Sequence, residues 1–338
     1  MKNVGFACTT IFPDAPAVKH NISHWLDAGF GPMSFAMDRK SGELDATHPD
    51  VDIVSFGSEP RSTYERLCPW DSYSRKNLSF ARLSNMSIDY IFETDDDNFL
   101  YPEKLRQLES SIAPLFSSLG ELAKSDQSNV FQSIYDVPNN IWARGYPLQW
   151  LEEPDQPANG SESCETAGVI QFLVDGNPDV DAIYRLVFGN DIDLSSDGLE
   201  SPTYIFKRFH PFNSQATMWP RCYFPLMYLP SSCEFRMTDI YRGYIAQYIL
   251  YHHSSAVVYS PALVRQERNE HRIYRDFFGE HTGYVEVLTL LETLNNLDLA
   301  ADSSPAESIR TAYARLTEVG IFDKTELILL DAYLESLA

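Results

Sequence analysis

No run of about 18 apolar residues occurs anywhere in this 338-residue chain, so no membrane-spanning helix is expected. Cysteine is scarce. The five cysteines, Cys8, Cys68, Cys164, Cys222 and Cys233, form no C-x-x-C pair and are odd in number. That argues against a zinc site or a disulfide framework and leaves reduced, mostly buried thiols. Positive charge is short as well, with a formal net charge of −22. A general nucleic-acid surface needs clustered Lys and Arg, and anionic membrane surfaces are disfavoured for the same reason. One local basic pocket for a diphosphate remains compatible with that total. The patterns G-x-x-x-x-G-K-[ST], G-x-G-x-x-G after a strand, H-E-x-x-H and G-x-S-x-G are all missing. Kinase, dehydrogenase, zincin and hydrolase chemistry each lose their first requirement. The N-terminus, Met1-Lys-Asn-Val-Gly-Phe6, enters a strand at once with no signal peptide, so a cytoplasmic protein is expected.

What the chain does have is core material: 44% hydrophobic and 13% aromatic residues, enough for a large α/β unit. Short apolar runs at Val4 to Ile11, Met33 to Met37, Asp52 to Phe56 and Tyr90 to Thr94 read as strands. Between them, Pro13 to Leu26 and Tyr73 to Leu83 have helical spacing. That alternation predicts a parallel, doubly wound sheet. Pro102 to Leu122 reads as a helix broken at Pro114. Glu152 to Thr166 and Asn190 to Pro202 have loop composition, Val169 to Val174 that of a strand, and Asp179 to Leu186 that of a helix. Met237 to Leu250 reads as an amphipathic helix with Thr238-Asp239 at its N-cap, and Val257-Val258 as a further strand. Beyond Tyr284 the pattern is purely helical. Val285, Leu288, Leu291 and Leu294 keep helical spacing, and Ser304-Pro-Ala-Glu307 and Asp323-Lys-Thr-Glu326 look like capping boxes.

The most informative stretch is Asp89-Tyr-Ile-Phe-Glu-Thr-Asp-Asp-Asp-Asn98. An apolar strand runs into three adjacent carboxylates, Asp95, Asp96 and Asp97, which repel one another. A solvated acidic loop is the ordinary meaning of such a run. At the carboxyl end of a buried strand, a Mg²⁺ or Mn²⁺ ion gripping a nucleoside diphosphate is the chemical alternative. Asp97 is then the first metal ligand, Asp95 its neighbour toward the nucleoside, and Asp96 part of the nucleotide site. Arg75 and Lys76 could neutralise phosphate, and Asn77 could bind a sugar hydroxyl. Thr9, Thr10 and Asp38, at the ends of the first two strands, suit a nucleoside pocket or plain turns. Asp239 could be a general base or a helix cap, with Arg242 counted among the nucleotide-facing residues. His252, His253, His271 and His281 could each complete a metal site.

Several of these segments resemble the STELLO-like glycosyltransferase family. The likeness lies in Thr9-Thr10-Ile11, Arg75-Lys76-Asn77, Glu93-Thr-Asp-Asp-Asp-Asn98, Ile141-Trp-Ala-Arg-Gly-Tyr-Pro-Leu148 and Gly176-Asn-Pro-Asp-Val-Asp-Ala-Ile183. It continues through Asn213-Ser-Gln-Ala-Thr217, Asp239-Ile-Tyr-Arg-Gly-Tyr-Ile-Ala-Gln247 and Gln266-Glu-Arg-Asn-Glu-His271. Ala143 stands where the family usually has proline. The resemblance covers roughly residues 4 to 282. A more distant likeness is to the reversibly glycosylated polypeptides, which include UDP-arabinopyranose mutases.

What the resemblance implies is a GT-A-like α/β fold, a Rossmann-like, mostly parallel sheet flanked by helices. Residues 1–282 would form the glycosyltransferase domain, with 1–125 as the nucleotide-sugar half and 126–282 as the acceptor half. Residues 283–338 would be a helical appendage outside the similarity. The metal would sit on Asp95, Asp97 and His271, and Asp239 would be the catalytic acid-motif residue near the acceptor. The expected activity is metal-dependent transfer of a sugar from a nucleoside-diphosphate donor to a hydroxyl acceptor in surface polysaccharide or glycoconjugate synthesis. A nucleotide-sugar mutase or a non-catalytic scaffold are the alternatives. No nucleic-acid partner is expected, and the C-terminal helices offer a surface for a homodimer.

Overall fold

The computed structural model describes residues 3–45, 48–120, 122–125, 129–135, 140–152, 163–197, 199, 201–267 and 272–337. The strands are β1 (Val4–Thr10), β2 (Met33–Met37), β3 (Val51–Val54), β4 (Tyr90–Thr94), β5 (Asn98–Leu100), β6 (Ala123–Lys124), β7 (Thr166–Gly176), β8 (Thr203–Ile205), β9 (Ala216–Pro220) and β10 (Ser255–Gln266). The helices are α1 (Pro16–Asp27), α2 (Thr63–Leu67), α3 (Lys76–Ser84), α4 (Pro102–Ser117), α5 (Val130–Ile134), α6 (Ala182–Phe188), α7 (Thr238–His252), α8 (Ile273–Asn295), α9 (Pro305–Glu318) and α10 (Thr325–Glu335). The strands form one sheet in the order β3-β2-β1-β4-β9-β7-β10-β8-β6, with β5 pairing the far end of β10. The β3-β2-β1-β4 half is parallel throughout. β9 runs antiparallel to both β4 and β7, and β10 is parallel to β7. The α/β class expected from the alternating pattern is the one observed.

Apolar alternation explains the N-terminal half. Phe6 and Phe92, on neighbouring strands, close over Trp25 of α1, whose ring stacks on Phe30 with centroids 4.6 Å apart. Burying each such ring contributes roughly 1.5–3 kcal/mol. α1 stops where Gly29 takes φ +74, a left-handed conformation that costs glycine little.

Four local expectations need correction. Pro114 does not break α4. It sits near the end of that helix, which closes at Ser117. α7 is not amphipathic: every residue from Thr238 to Tyr251 is buried, because the helix is enclosed by β10, α8 and α9. Its N-cap is Met237, with no side-chain cap, and Asp239 lies inside the first turn. On α8 the buried large apolar positions are Val287, Leu290, Leu291 and Leu294, while Val285 points outward. The capping box at Ser304 and Glu307 is present, but Asp323 to Glu326 forms none. Glu326 instead is buried and accepts from Tyr228 Oη and from the backbone N–H groups of Ser231 and Ser232. That carboxylate, with Tyr333 Oη donating to the Phe224 carbonyl at 3.0 Å, ties α10 to the same hydrophobic core as the sheet. α8 runs unbroken through residue 283. Of the cysteines, Cys8 and Cys68 are buried and Cys222 is exposed. Most of the Glu152 to Thr166 loop lies outside the described residues, and Thr166 itself opens β7.

A buried acidic pair joins α6 to α8. Asp181 caps α6 by accepting from Ile183 N–H at 2.8 Å, and Glu280 accepts from Ala182 N–H at 2.9 Å. Burial, then the nearby Glu280, pushes Asp181 up to about 7. An unfolded aspartate titrates near about 3.9, so between those values the folded chain holds a proton that the unfolded chain has lost. Stability should therefore fall as pH rises from about 4 to about 7 and level off above. Asp181→Asn keeps a cap acceptor without the charge. Its urea midpoint should match the parent near pH 4 and exceed it at pH 8, on the order of 2 kcal/mol. Parallel pH profiles for the two proteins would refute this.

Candidate active site

In the order β3-β2-β1-β4, the chain builds outward from β1 in one direction and returns to β1's other side at β4. The carboxyl ends of β1 and β4 therefore bound the crevice where open α/β sheets take ligands. β1 ends at Thr9 and Thr10, and β4 ends one residue before Asp95. Across the crevice Thr10 Oγ1 donates to Asp96 Oδ2 at 2.5 Å. A cleft of about 400 Å³ opens here. Thr9, Thr10, Asp38, Asp95, Asp96 and Asp97 line one part of it, and Arg144, Asp179, Arg236 and Asp239 another.

The three aspartates have different surroundings. Asp95 Oδ1 accepts from Lys76 Nζ at 2.8 Å and from Tyr73 Oη at 2.5 Å. Asp97 Oδ2 accepts from Gln266 Nε2 at 2.8 Å, where the end of β10 lies against the acidic turn. Burial pushes Asp96 up to about 6, and Asp95 beside it adds to the rise. Lys76 neutralises part of the turn at Asp95, and the carboxylates of Asp96 and Asp97 line the cleft beside it. Carboxylates crowded in this way are stabilised as anions by a cation among them. An all-oxygen set at the mouth of a cleft fits Mg²⁺ or Mn²⁺. Among the described residues, no group of three or more His, Cys, Asp and Glu side chains converges as a ready-made metal site. His271 lies outside the described residues.

The other expected residues divide sharply. Thr9 and Asp38 line the cleft, with Thr9 Oγ1 donating to the Ala36 carbonyl and Asp38 Oδ1 accepting from Arg39 N–H. Arg75, Lys76 and Asn77 do not line it. Arg75 is buried, donates to the Met37 carbonyl at 2.7 Å and lies 3.7 Å over the Trp70 ring. Asn77 bonds both backbone groups of Leu229 and the Tyr64 hydroxyl. Lys76 is fully buried. Burial alone would push its ammonium down, but Asp95 and Glu93 outweigh that and hold it above the ordinary lysine value. These three residues hold the frame and do not reach a phosphate. Arg242 is likewise buried behind the site, 2.7 Å from Glu93 Oε1 and packed over Phe212 and Trp219. His252 Nε2 donates to the Ala300 carbonyl and His253 packs on Tyr223, both remote from the cleft lining.

Asp239 does line the cleft, but it is not a lone carboxylate. Arg144 Nη1 and Nη2 donate to its two oxygens at 3.0 and 3.1 Å, and Ser214 N–H donates at 3.3 Å. Arg144 Nε also donates to both oxygens of Asp179, at 2.9 and 2.8 Å. One guanidinium thus clamps two cleft aspartates bidentately, a geometry lysine could not supply. Arg236 extends the chain of charges, lying 3.8 Å from Asp179 and 2.7 Å from Glu280. Sequence reasoning assigned no role to Arg144, Asp179, Arg236, Tyr73 or Gln266. The available signal was that Arg144, Asp179 and Gln266 fall inside three of the segments carrying the family likeness.

Comparison with known proteins bears on this arrangement. The family model of the STELLO glycosyltransferases matches residues 236–338. The "Probable glycosyltransferase STELLO2" of Arabidopsis thaliana is 26% identical over 263 residues, covering 71% of this chain. The chain is STELLO-like. It spans 33% of that relative's length. The family match starts at Arg236 on the cleft wall and runs through α8, α9 and α10, so the helical tail of the STELLO-like chain lies within the similarity, not beyond it. Both matches are to proteins described as glycosyltransferases. Similar solved structures include the glucosyl-3-phosphoglycerate synthase of Mycobacterium tuberculosis in complex with Mn²⁺, uridine diphosphate and glucosyl-3-phosphoglycerate. That match has a TM-score of 0.39 and 11% identity and covers 93% of this chain and 80% of that one. S. aureus TarS 1-349 matches with a TM-score of 0.37 and 11% identity, over 95% and 73%.

Proposed function

We propose that this chain transfers a sugar from a nucleoside-diphosphate donor to a hydroxyl acceptor, using a divalent cation held at Asp95 to Asp97. The observation that carries the reading is the acidic turn at the β1/β4 crevice, facing the Arg144-clamped aspartates across one cleft. Thr9, Thr10 and Asp38 bind the nucleoside end. Asp96 and Asp97 hold the cation, which when bound supplies Lewis-acid stabilisation of the departing diphosphate. Residues 1–125 supply the donor end of the cleft and residues 126–282 the acceptor end, where Arg144 fixes Asp239 and Asp179. Arg144 and the Ser214 N–H already occupy the oxygens of Asp239, so Asp239 orients the sugar hydroxyls or the acceptor. The proposal locates the enzyme in the cytoplasm, building a surface polysaccharide or glycoconjugate.

The test is incubation of the protein with UDP- and GDP-sugars, with Mn²⁺ or EDTA, followed by mass and chromatographic analysis. Metal-dependent transfer, or slow hydrolysis without acceptor, supports the reading. An isomerised nucleotide sugar without acceptor would make it a mutase, and no turnover of any donor would leave a scaffold. A direct expectation accompanies this. UDP or GDP at about 100 times its Kd should raise the melting temperature by roughly 5 °C with Mn²⁺ present and much less in EDTA. Equal shifts with and without the metal would remove the cation from the donor site.

A further inference from the structure

On the first half of α8 the usual polarity is reversed. Its acidic residues turn inward. Asp276 and Glu280 are buried beside Arg236, and Glu286 accepts from Tyr241 Oη at 2.7 Å. The outward residues are Arg272 at the N-cap, then Tyr274, Arg275, Phe278, His281 and Val285. Tyr274, Phe278 and Val285 are 69%, 71% and 66% exposed, and the spacing 274, 278, 281, 285 marks one helix face. No acidic residue on α8 before Glu292 is exposed, in a chain with a formal net charge of −22. Among the described residues, neither Arg272 nor Arg275 has an ion-pair partner. An ordinary solvated helix of so acidic a protein would show carboxylates outward and rings inward.

We propose that this face of α8 docks on an anionic lipid surface. Exposed rings flanked by arginines are what an interfacial helix presents: the rings enter the headgroup boundary and the guanidinium groups meet lipid phosphates. Charge complementarity chooses the occupant. In a twofold contact through this same face, Arg272 and Arg275 of one copy would meet a helix face that offers them no exposed carboxylate before Glu292. The overall acidity does not forbid contact, because at about 0.15 M salt remote charges are screened within about 8 Å. The cytoplasmic leaflet carries the required negative charge, at about 1 kcal/mol per arginine near the surface. The position is also apt. The inner face of the same helix packs on the cleft wall, since a Cβ at Gly279 would meet the Arg236 side chain at 3.1 Å. Docking would therefore hold the cleft beside the membrane. The inference does not depend on the sugar-transfer reading.

The experiment is co-sedimentation of the full chain with phosphatidylcholine vesicles, with or without about one third phosphatidylglycerol, at about 0.1 M salt. Binding is expected only to the anionic vesicles. It should weaken at least tenfold in Arg272→Glu/Arg275→Glu and in Tyr274→Ser/Phe278→Ser, both retaining parental circular dichroism. These positions are exposed, so the variants should fold. Absence of binding, or equal binding to neutral vesicles, would overturn the proposal. So would light scattering that shows a dimer which Tyr274→Ser/Phe278→Ser converts to a monomer, because the face would then belong to a protein interface.

Discussion

Asp97→Ala is expected to lower sugar transfer by on the order of 10³-fold while leaving the protein folded. The two halves of that statement rest on different features. Asp97 is half-buried at a turn, and its Oδ2 accepts a 2.8 Å bond from Gln266 Nε2. Losing a single such bond costs about 1 kcal/mol, and part of that returns when one of three adjacent negative charges is removed. The melting temperature should therefore stay close to the parent's. Activity has no such cushion. Lys76 already occupies Asp95, so removing Asp97 takes away one of the two other carboxylates of the triplet that would hold the cation. Asp97→Asn separates charge from shape, because an amide oxygen can still accept from Gln266. It should be nearly as inactive as the alanine variant, whereas Glu335→Ala, on the exposed side of α10, should transfer normally. Full activity in Asp97→Ala would reject the acidic turn as the catalytic centre.

Much of the donor end was legible from residue order alone. A strand ending in Thr9-Thr10 and another ending in three aspartates are local patterns, and the β3-β2-β1-β4 topology places both at one crevice. The cations were harder to place. Arg75, Lys76 and Asn77 look like ligand residues because they are polar on a helix start, yet all three are buried. Periodicity gives the face of a helix only when one face is dry. Here the 3₁₀ turn at Tyr73–Arg75 and α3 are enclosed on all sides, and the polar groups satisfy backbone carbonyls and each other. α7 misled for the same reason. The Arg144 clamp was invisible because its partners are 35 and 95 residues away in sequence, and no local spacing reports a contact of that range. Asp239 illustrates the consequence. Read alone it is a candidate base; read with Arg144 it is half of an ion pair.

The largest stability effect should come from behind the site. Arg242→Met is expected to destabilise the protein by about 3–5 kcal/mol at pH 8. Arg242 and Glu93 are 2.7 Å apart and almost wholly buried, and Trp219 Nε1 donates to the same Glu93 oxygen at 2.8 Å. Burial is the largest influence on Glu93 and holds it above the ordinary carboxylate range, even with the guanidinium opposing it. Without Arg242, that carboxylate must either stay charged in the core or take a proton. Its folded pKa then rises further above the unfolded value near about 4.3, so the variant loses stability as pH rises through that window. The deficit should therefore be larger at pH 8 than at pH 5, as read from urea midpoints. Glu93→Gln in the same chain removes the stranded charge and keeps an acceptor for Trp219, and the double variant should recover most of the loss. Two single effects that simply add would show that the pair is not coupled. Because Glu93 lies on β4 two residues before Asp95, the pair also anchors the strand that delivers the acidic turn. Arg242 acts on the cleft through that strand, so the double variant should restore sugar transfer along with stability.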